Sequence, residues 1–80
     1  MPTVLRVDGF QVMIFFNDHP PPHVHVRKGG GVVLIQLESG SRPQAVREVH
    51  EMSQPNVLRA FQIVQAHRDL LEQKWREIHG

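Results

Sequence analysis

The hydrophobic period of this chain changes once, near residue 53, and that change limits the fold more than any other feature of the sequence. Up to that point apolar residues alternate with period two in short segments, as strands do; beyond it they recur with helical spacing. Thr3 to Val7 is short and β-branched, Asp8-Gly9 is a two-residue hairpin signal, and Phe10 to Phe16 places Phe10, Val12, Ile14 and Phe16 on one face. Gln11, Met13 and Phe15 fall on the other face, so this strand is expected to be covered on both sides and interior to its sheet. His23 to Val26 alternates again, Arg27-Lys28-Gly29-Gly30-Gly31 reads as a glycine-rich turn, and Val32 to Leu37 completes a second hairpin. After turn chemistry at Glu38 to Pro43, the segment Gln44 to Met52 suits either a short helix or an edge strand. The tight Ser-Gly connection and the charges of the segment favour the strand.

Ser53 is a good N-cap and Pro55 falls in the first helical turn, where its missing donor costs nothing. Val57, Phe61, Val64, Leu71, Trp75 and Ile78 then form an apolar stripe that Leu58, Ile63 and Leu70 widen, predicting one helix to the C-terminus. The expected architecture is α+β: a small antiparallel sheet of three to four strands packed under one long C-terminal helix, in a single domain over residues 1–80. A chain of 80 residues buries only about 60% of its unfolded surface. With no cysteine the disulfide route to added stability is closed, and a metal or a partner chain remains open.

A net charge of +1 gives only weak support to nucleic-acid binding. The longest apolar runs, Val12 to Phe16 and Val32 to Ile35, are strand-sized and far short of the ~20 residues of a membrane span. Met1 to Asp8 lacks a basic flank followed by an apolar run, so no signal peptide is expected, and the protein is expected to be soluble and cytoplasmic.

Chemistry concentrates in Asn17-Asp18-His19-Pro20-Pro21-Pro22-His23-Val24-His25-Val26, which gathers three of the six histidines, a carboxylate and three prolines. Proline restrains the backbone that displays them. His23 and His25, two apart on a strand, project to one side with side chains about 7 Å apart at the base, close enough to share a metal. The third donor is His19 or Asp18 folding back from the turn; the metal set is expected at His19, His23 and His25, for a divalent transition ion such as zinc. The same residues would also suit a purely structural turn, with Asp18 capping amides and each histidine donating to a carbonyl. A third use is phosphodiester cleavage by the histidine pair as general acid and base, with Arg27 and Lys28 holding the phosphate and Gly29-Gly30-Gly31 offering amides. The ligand-binding set is therefore Asp18, His19, His23, His25, Arg27 and Lys28. His50, His67 and His79 are scattered and expected at the surface, and Trp75 is expected to anchor a core or an interface.

Met1-Pro2-Thr3-Val4-Leu5-Arg6, the motif Asp18, His19, Pro21, Pro22, His23, His25 and Val26, and the segment Leu71 to Trp75 together resemble the bacterial domain-of-unknown-function family numbered 4160. The resemblance covers essentially the whole chain. It implies a small stand-alone prokaryotic protein encoded beside another small protein, in the manner of a toxin–antitoxin pair, and it carries over no catalytic residues. The expected function is a protein-interaction module of such a pair, bound to a small partner protein or to itself, with the histidine turn as its metal or ligand site. The rival expectation is a small hydrolase acting on phosphodiesters such as RNA, with or without a metal.

Overall fold

The computed structural model describes residues 2–80, and among them five strands form one antiparallel sheet in chain order: β1 (Thr3–Val7), β2 (Phe10–Met13), β3 (His23–Lys28), β4 (Gly31–Gln36) and β5 (Ala45–His50). Two helices follow, α1 (Gln54–Ala66) and α2 (Arg68–His79). Asp8 and Gly9 both take positive φ, 52° and 79°, as a tight hairpin between twisted strands requires. The register sets Val12 beside Val26 and Val26 beside Val33, with Val24 beside Ile35. All five side chains are fully buried in one core with Ala60, Ile63 and Val64 of α1 and Leu71 of α2. His23, His25 and Arg27 alternate onto the opposite face of β3.

The expectation of three to four strands under one long helix is corrected on both counts. Residues 45–50 pair along β4 as a full strand, with Val46 opposite Ile35 and Val49 opposite Val33, which brings the sheet to five strands. The helix breaks at His67, whose backbone leaves the helical region at φ −115° and ψ 25°. An unbroken helix from Gln54 to His79 would be about 39 Å long at 1.5 Å per residue, whereas the longest extent of the molecule is 32 Å. Leu71 and Trp75 reach the core only if the chain turns back over the sheet. The apolar stripe has a seven-residue gap between Val64 and Leu71, where His67-Arg68 offers nothing to bury. His67 seals the break: its Nδ1 lies 2.8 Å from the Ile63 carbonyl, and its backbone N–H is shared between the Ile63 and Val64 carbonyls. Asp69 then favours the new N-terminus. At the other end of the pair, the Ser53 side chain accepts from Asn56 N–H, capping α1 as expected.

β2 stops at Met13 instead of running to Phe16. The Asp18 carboxylate accepts the Phe15 N–H at 2.9 Å, and the Asp18 N–H donates to the Phe15 carbonyl at 3.1 Å. This side-chain turn competes with the ladder and ends it. Phe16 consequently lies 87% exposed and off the core face, while Ile14 remains buried. No helix among the described residues is long and apolar enough to cross a membrane.

Candidate metal centre

The turn that ends β2 also delivers a carboxylate to the open face of β3. With Oδ2 taken by Phe15 N–H, Asp18 directs Oδ1 at both histidines: 3.2 Å from His25 Nε2 and 3.5 Å from His23 Nε2. The three side chains are only 11% (Asp18), 14% (His23) and 19% (His25) exposed. Burial, the largest single influence on Asp18, raises its pKa. The Phe15 N–H, the His25 hydrogen bond and the two nearby imidazoles together outweigh it and hold the carboxyl below its ordinary value of 3.8.

The tautomer of His23 follows from its anchor. Its Nδ1 lies 3.0 Å from the Pro21 carbonyl, which can only accept, so Nδ1 carries the proton and the neutral ring turns a lone pair at Nε2 towards the site. Lone pair then faces carboxylate oxygen. His25 can donate from Nε2 to Asp18, whereas the His23 lone pair and Asp18 Oδ1, 3.5 Å apart, are two acceptors facing one point, an arrangement that suits a cation placed between them. Outer hydrogen bonds of this kind, from His23 Nδ1–H to the Pro21 carbonyl and from Phe15 N–H to Asp18, are what orient ligands in metal sites. The capping role anticipated for these residues and a metal-binding role are thus compatible.

The donor atoms of Asp18, His23 and His25 all lie within 4.8 Å of one another. Donors at the corners of a tetrahedron with zinc bond lengths near 2.0–2.1 Å are separated by about 3.3 Å. Both Asp18–histidine separations are already close to that, leaving the two imidazoles to approach. Their ring centroids are 5.4 Å apart, and the Phe15 ring stands edge-on to His25 at 4.7 Å. Behind His23, Trp75 lies at 5.5 Å and stacks on His79 at 4.0 Å.

The centre opens into a cleft of about 390 Å³ walled by the Asn17–Pro21 turn, the two histidines, Leu34, Arg47 and Glu48. His19 lines this cleft but stands outside the converging donors. Arg27 shares the histidine face, exposed, two residues beyond His25. Lys28 lies on the other face, donating to the Asp8 carbonyl at 3.0 Å with its Nζ 4.8 Å from the centre of the Phe10 ring. The glycine turn sits at the far end of β3 from His23, so it brings no amides to the cleft.

Arg47 and Glu48 were not legible as site residues from local pattern, although one signal points to them. Val46 and Val49 are three apart yet both face the core side, which in a strand requires an extra residue between them. His79 departs in part from expectation: the residue is half-buried, and its Nε2 is buried without a hydrogen-bond partner among the described residues. His50 is exposed as expected and pairs with Glu48 at 2.9 Å, and Trp75 is 7% exposed in the core.

No curated protein and no solved structure matches the chain. Residues 9–76, a span that holds every residue of the cleft, match the family described as a domain of unknown function (DUF4160), and the chain belongs to that family.

Proposed function

We propose that this protein binds a divalent transition metal, zinc foremost, through Asp18, His23 and His25. The observation that carries the reading is the convergence of three oriented donors, one of them a lone pair facing a carboxylate, on the floor of an open cleft. Structural zinc sites are closed by four protein ligands, whereas catalytic sites use three and keep a position free. Three donors beneath a cleft match the second kind. A metal there would supply Lewis acidity or a water activated near neutral pH. The chain's own residues orient the donors: Pro21 fixes His23, Phe15 fixes Asp18, and the Phe15 ring limits the rotation of His25. Cobalt titration followed by visible absorbance tests the reading. Ligand-field bands that grow to one equivalent in the parent and are absent in Asp18→Ala support it; identical silence in both would remove it.

A second reading, association with a small partner protein or a second copy, is favoured by a separate surface. β5 is an edge strand that leaves Val46 and Val49 40% and 45% exposed, and α1 leaves Leu58 59% exposed. The toxin–antitoxin-like pairing and the cytoplasmic setting belong to this reading; the family resemblance and the cysteine-free composition support them. Light scattering of the purified chain, alone and with the product of its neighbouring gene, decides it: an unchanged monomer mass in both samples would rule it out.

A further inference from the structure

We propose that Arg47 is the anion anchor of this cleft and that the ligand entering it carries a phosphate group. The inference rests on the metal reading for its second contact but on β5 for its first. Arg47 occupies the irregularity in the β4–β5 ladder: Leu34 pairs with Glu48 and Ile35 with Val46, leaving Arg47 with no partner residue. An extra residue of this kind bends the strand and re-aims its side chain, and such irregularities are common beside functional sites. Here it makes Arg47 line the same cleft as Asp18, His23 and His25.

Among the residues lining the cleft Arg47 is the sole Lys or Arg, and no carboxylate lies within 4.0 Å of it among the described residues. Arg59 pairs with Asp8, and Arg68 with Glu38 and Asp69, whereas Arg6, Arg27, Arg42 and Arg76, which like Arg47 are in no ion pair among the described residues, do not line the cleft. The adjacent Glu48 is engaged by His50 at 2.9 Å. A divalent ion on Asp18 leaves a net positive floor, so floor and wall together attract an anion.

The chemistry separates phosphate from carboxylate. A guanidinium fork takes two oxygens of an oxyanion. A carboxylate bound in that way can reach the metal only by sharing an oxygen already held by the fork, while a phosphate group keeps a third oxygen free for it. The phosphate group is therefore the oxyanion better suited to hold Arg47 and the metal together. That chemistry is shared by a free phosphate monoester and by the backbone of a nucleic acid.

The test is a set of calorimetric titrations of zinc-loaded protein with inorganic phosphate, a mononucleotide, a short oligouridylate and acetate, on the parent, Arg47→Gln and Arg47→Lys. Zinc affinity is measured separately on each protein. The expected result is unchanged zinc affinity, with phosphate binding weakened roughly ten- to a hundredfold in Arg47→Gln and less in Arg47→Lys, which keeps the charge without the fork. Acetate should bind more weakly than phosphate throughout. Equal affinity for mononucleotide and oligouridylate assigns the phosphate to a free monoester, and tighter oligouridylate binding assigns it to RNA. Zinc binding with phosphate affinity equal in parent and Arg47→Gln overturns the inference while sparing the metal centre. Phosphate binding that needs Arg47 in protein that takes no zinc sinks the metal centre and sustains Arg47 as the anchor. Acetate binding as tight as phosphate refutes the phosphate assignment, and absence of phosphate binding in the parent refutes the whole inference.

Discussion

Replacing Gly31 with alanine should loosen the connection between β5 and α1, and the cost follows from backbone positions. A Cβ on Gly31 would lie 2.3 Å from the Glu51 carbonyl oxygen, 2.9 Å from its carbon and 3.1 Å from Met52 Cα. Relaxed carbon–oxygen contacts begin at about 3.3 Å, so the two backbones must part by about 1 Å. None of the three atoms is the free end of a side chain, and Glu51 is already held at a positive φ of 54°. Overpacking of this kind costs about 1–3 kcal/mol, and the stiffer unfolded chain returns about 0.4–1 kcal/mol. The net is a destabilisation of roughly 1.5 kcal/mol, which for a domain of this size lowers Tm by about 6–12 °C. Gly30 is the internal control: a methyl group there would meet nothing within 4 Å, and its φ is not left-handed, so Gly30→Ala should stay within about 0.5 kcal/mol of the parent. Thermal melts followed by far-ultraviolet circular dichroism compare the three proteins. Because β5 carries Arg47 and Glu48 into this connection, the melts also report on how firmly the cleft wall is held. A Gly31→Ala melt indistinguishable from the parent, or equal losses in both variants, would refute the reasoning.

Asp18→Asn keeps an acceptor for Phe15 N–H but loses the charge facing the histidines, and should cost about 1–3 kcal/mol in urea unfolding. Zinc at a hundred times its Kd should add about 2.7 kcal/mol to the parent, raising Tm by about 11–22 °C, and should leave the Asn variant unmoved. Arg59 holds the Asp8 carboxyl below its ordinary 3.8, first through a hydrogen bond and then through its charge. A depressed carboxyl stabilises the fold above the unfolded-state value and loses that contribution as pH falls through the lower folded-state value. Acid titrations of parent and Asp8→Asn should therefore differ at neutral pH and converge at the acid end; a constant offset would contradict the pairing. Phe16→Ser should change stability by less than about 0.5 kcal/mol, while Ile14→Ala costs about 2–5 kcal/mol; chemical denaturation of both decides whether β2 ends where the Asp18 turn places it.

The parts of the fold legible in the sequence are those that local chemistry decides. Asp8-Gly9 demands positive φ at both positions, Ser53 caps, Pro55 opens a helix, and alternation through Val24, Val26, Val33 and Ile35 marks the core face. What was illegible depends on size and on distant partners. A stripe through Val64 and Leu71 keeps helical phase across His67, so the gap in it does not by itself mark a break; the dimensions of the molecule require the bend there. Alternation carried Phe16 into β2 because the carboxylate that ends the strand belongs to the next turn. Within the site, His23 and His25 were readable from their shared strand face. The choice of Asp18 over His19 as the third converging group rests on Phe15 N–H, which turns one carboxylate towards the histidines. Arg47 reaches the cleft through pairing between strands that are separate in sequence, marked beforehand only by the Val46 and Val49 spacing.

The measurement that bears most directly on the metal centre is a calorimetric titration of chelator-treated protein with zinc, nickel, manganese and iron(II), made on the parent and on the His23→Ala, His25→Ala double variant. Circular dichroism of both establishes that the fold is kept. One ion per chain should bind in the parent, tightest among these for zinc or nickel, and none in the variant. Absence of binding for every ion, or equal binding in a folded variant, would contradict the metal centre.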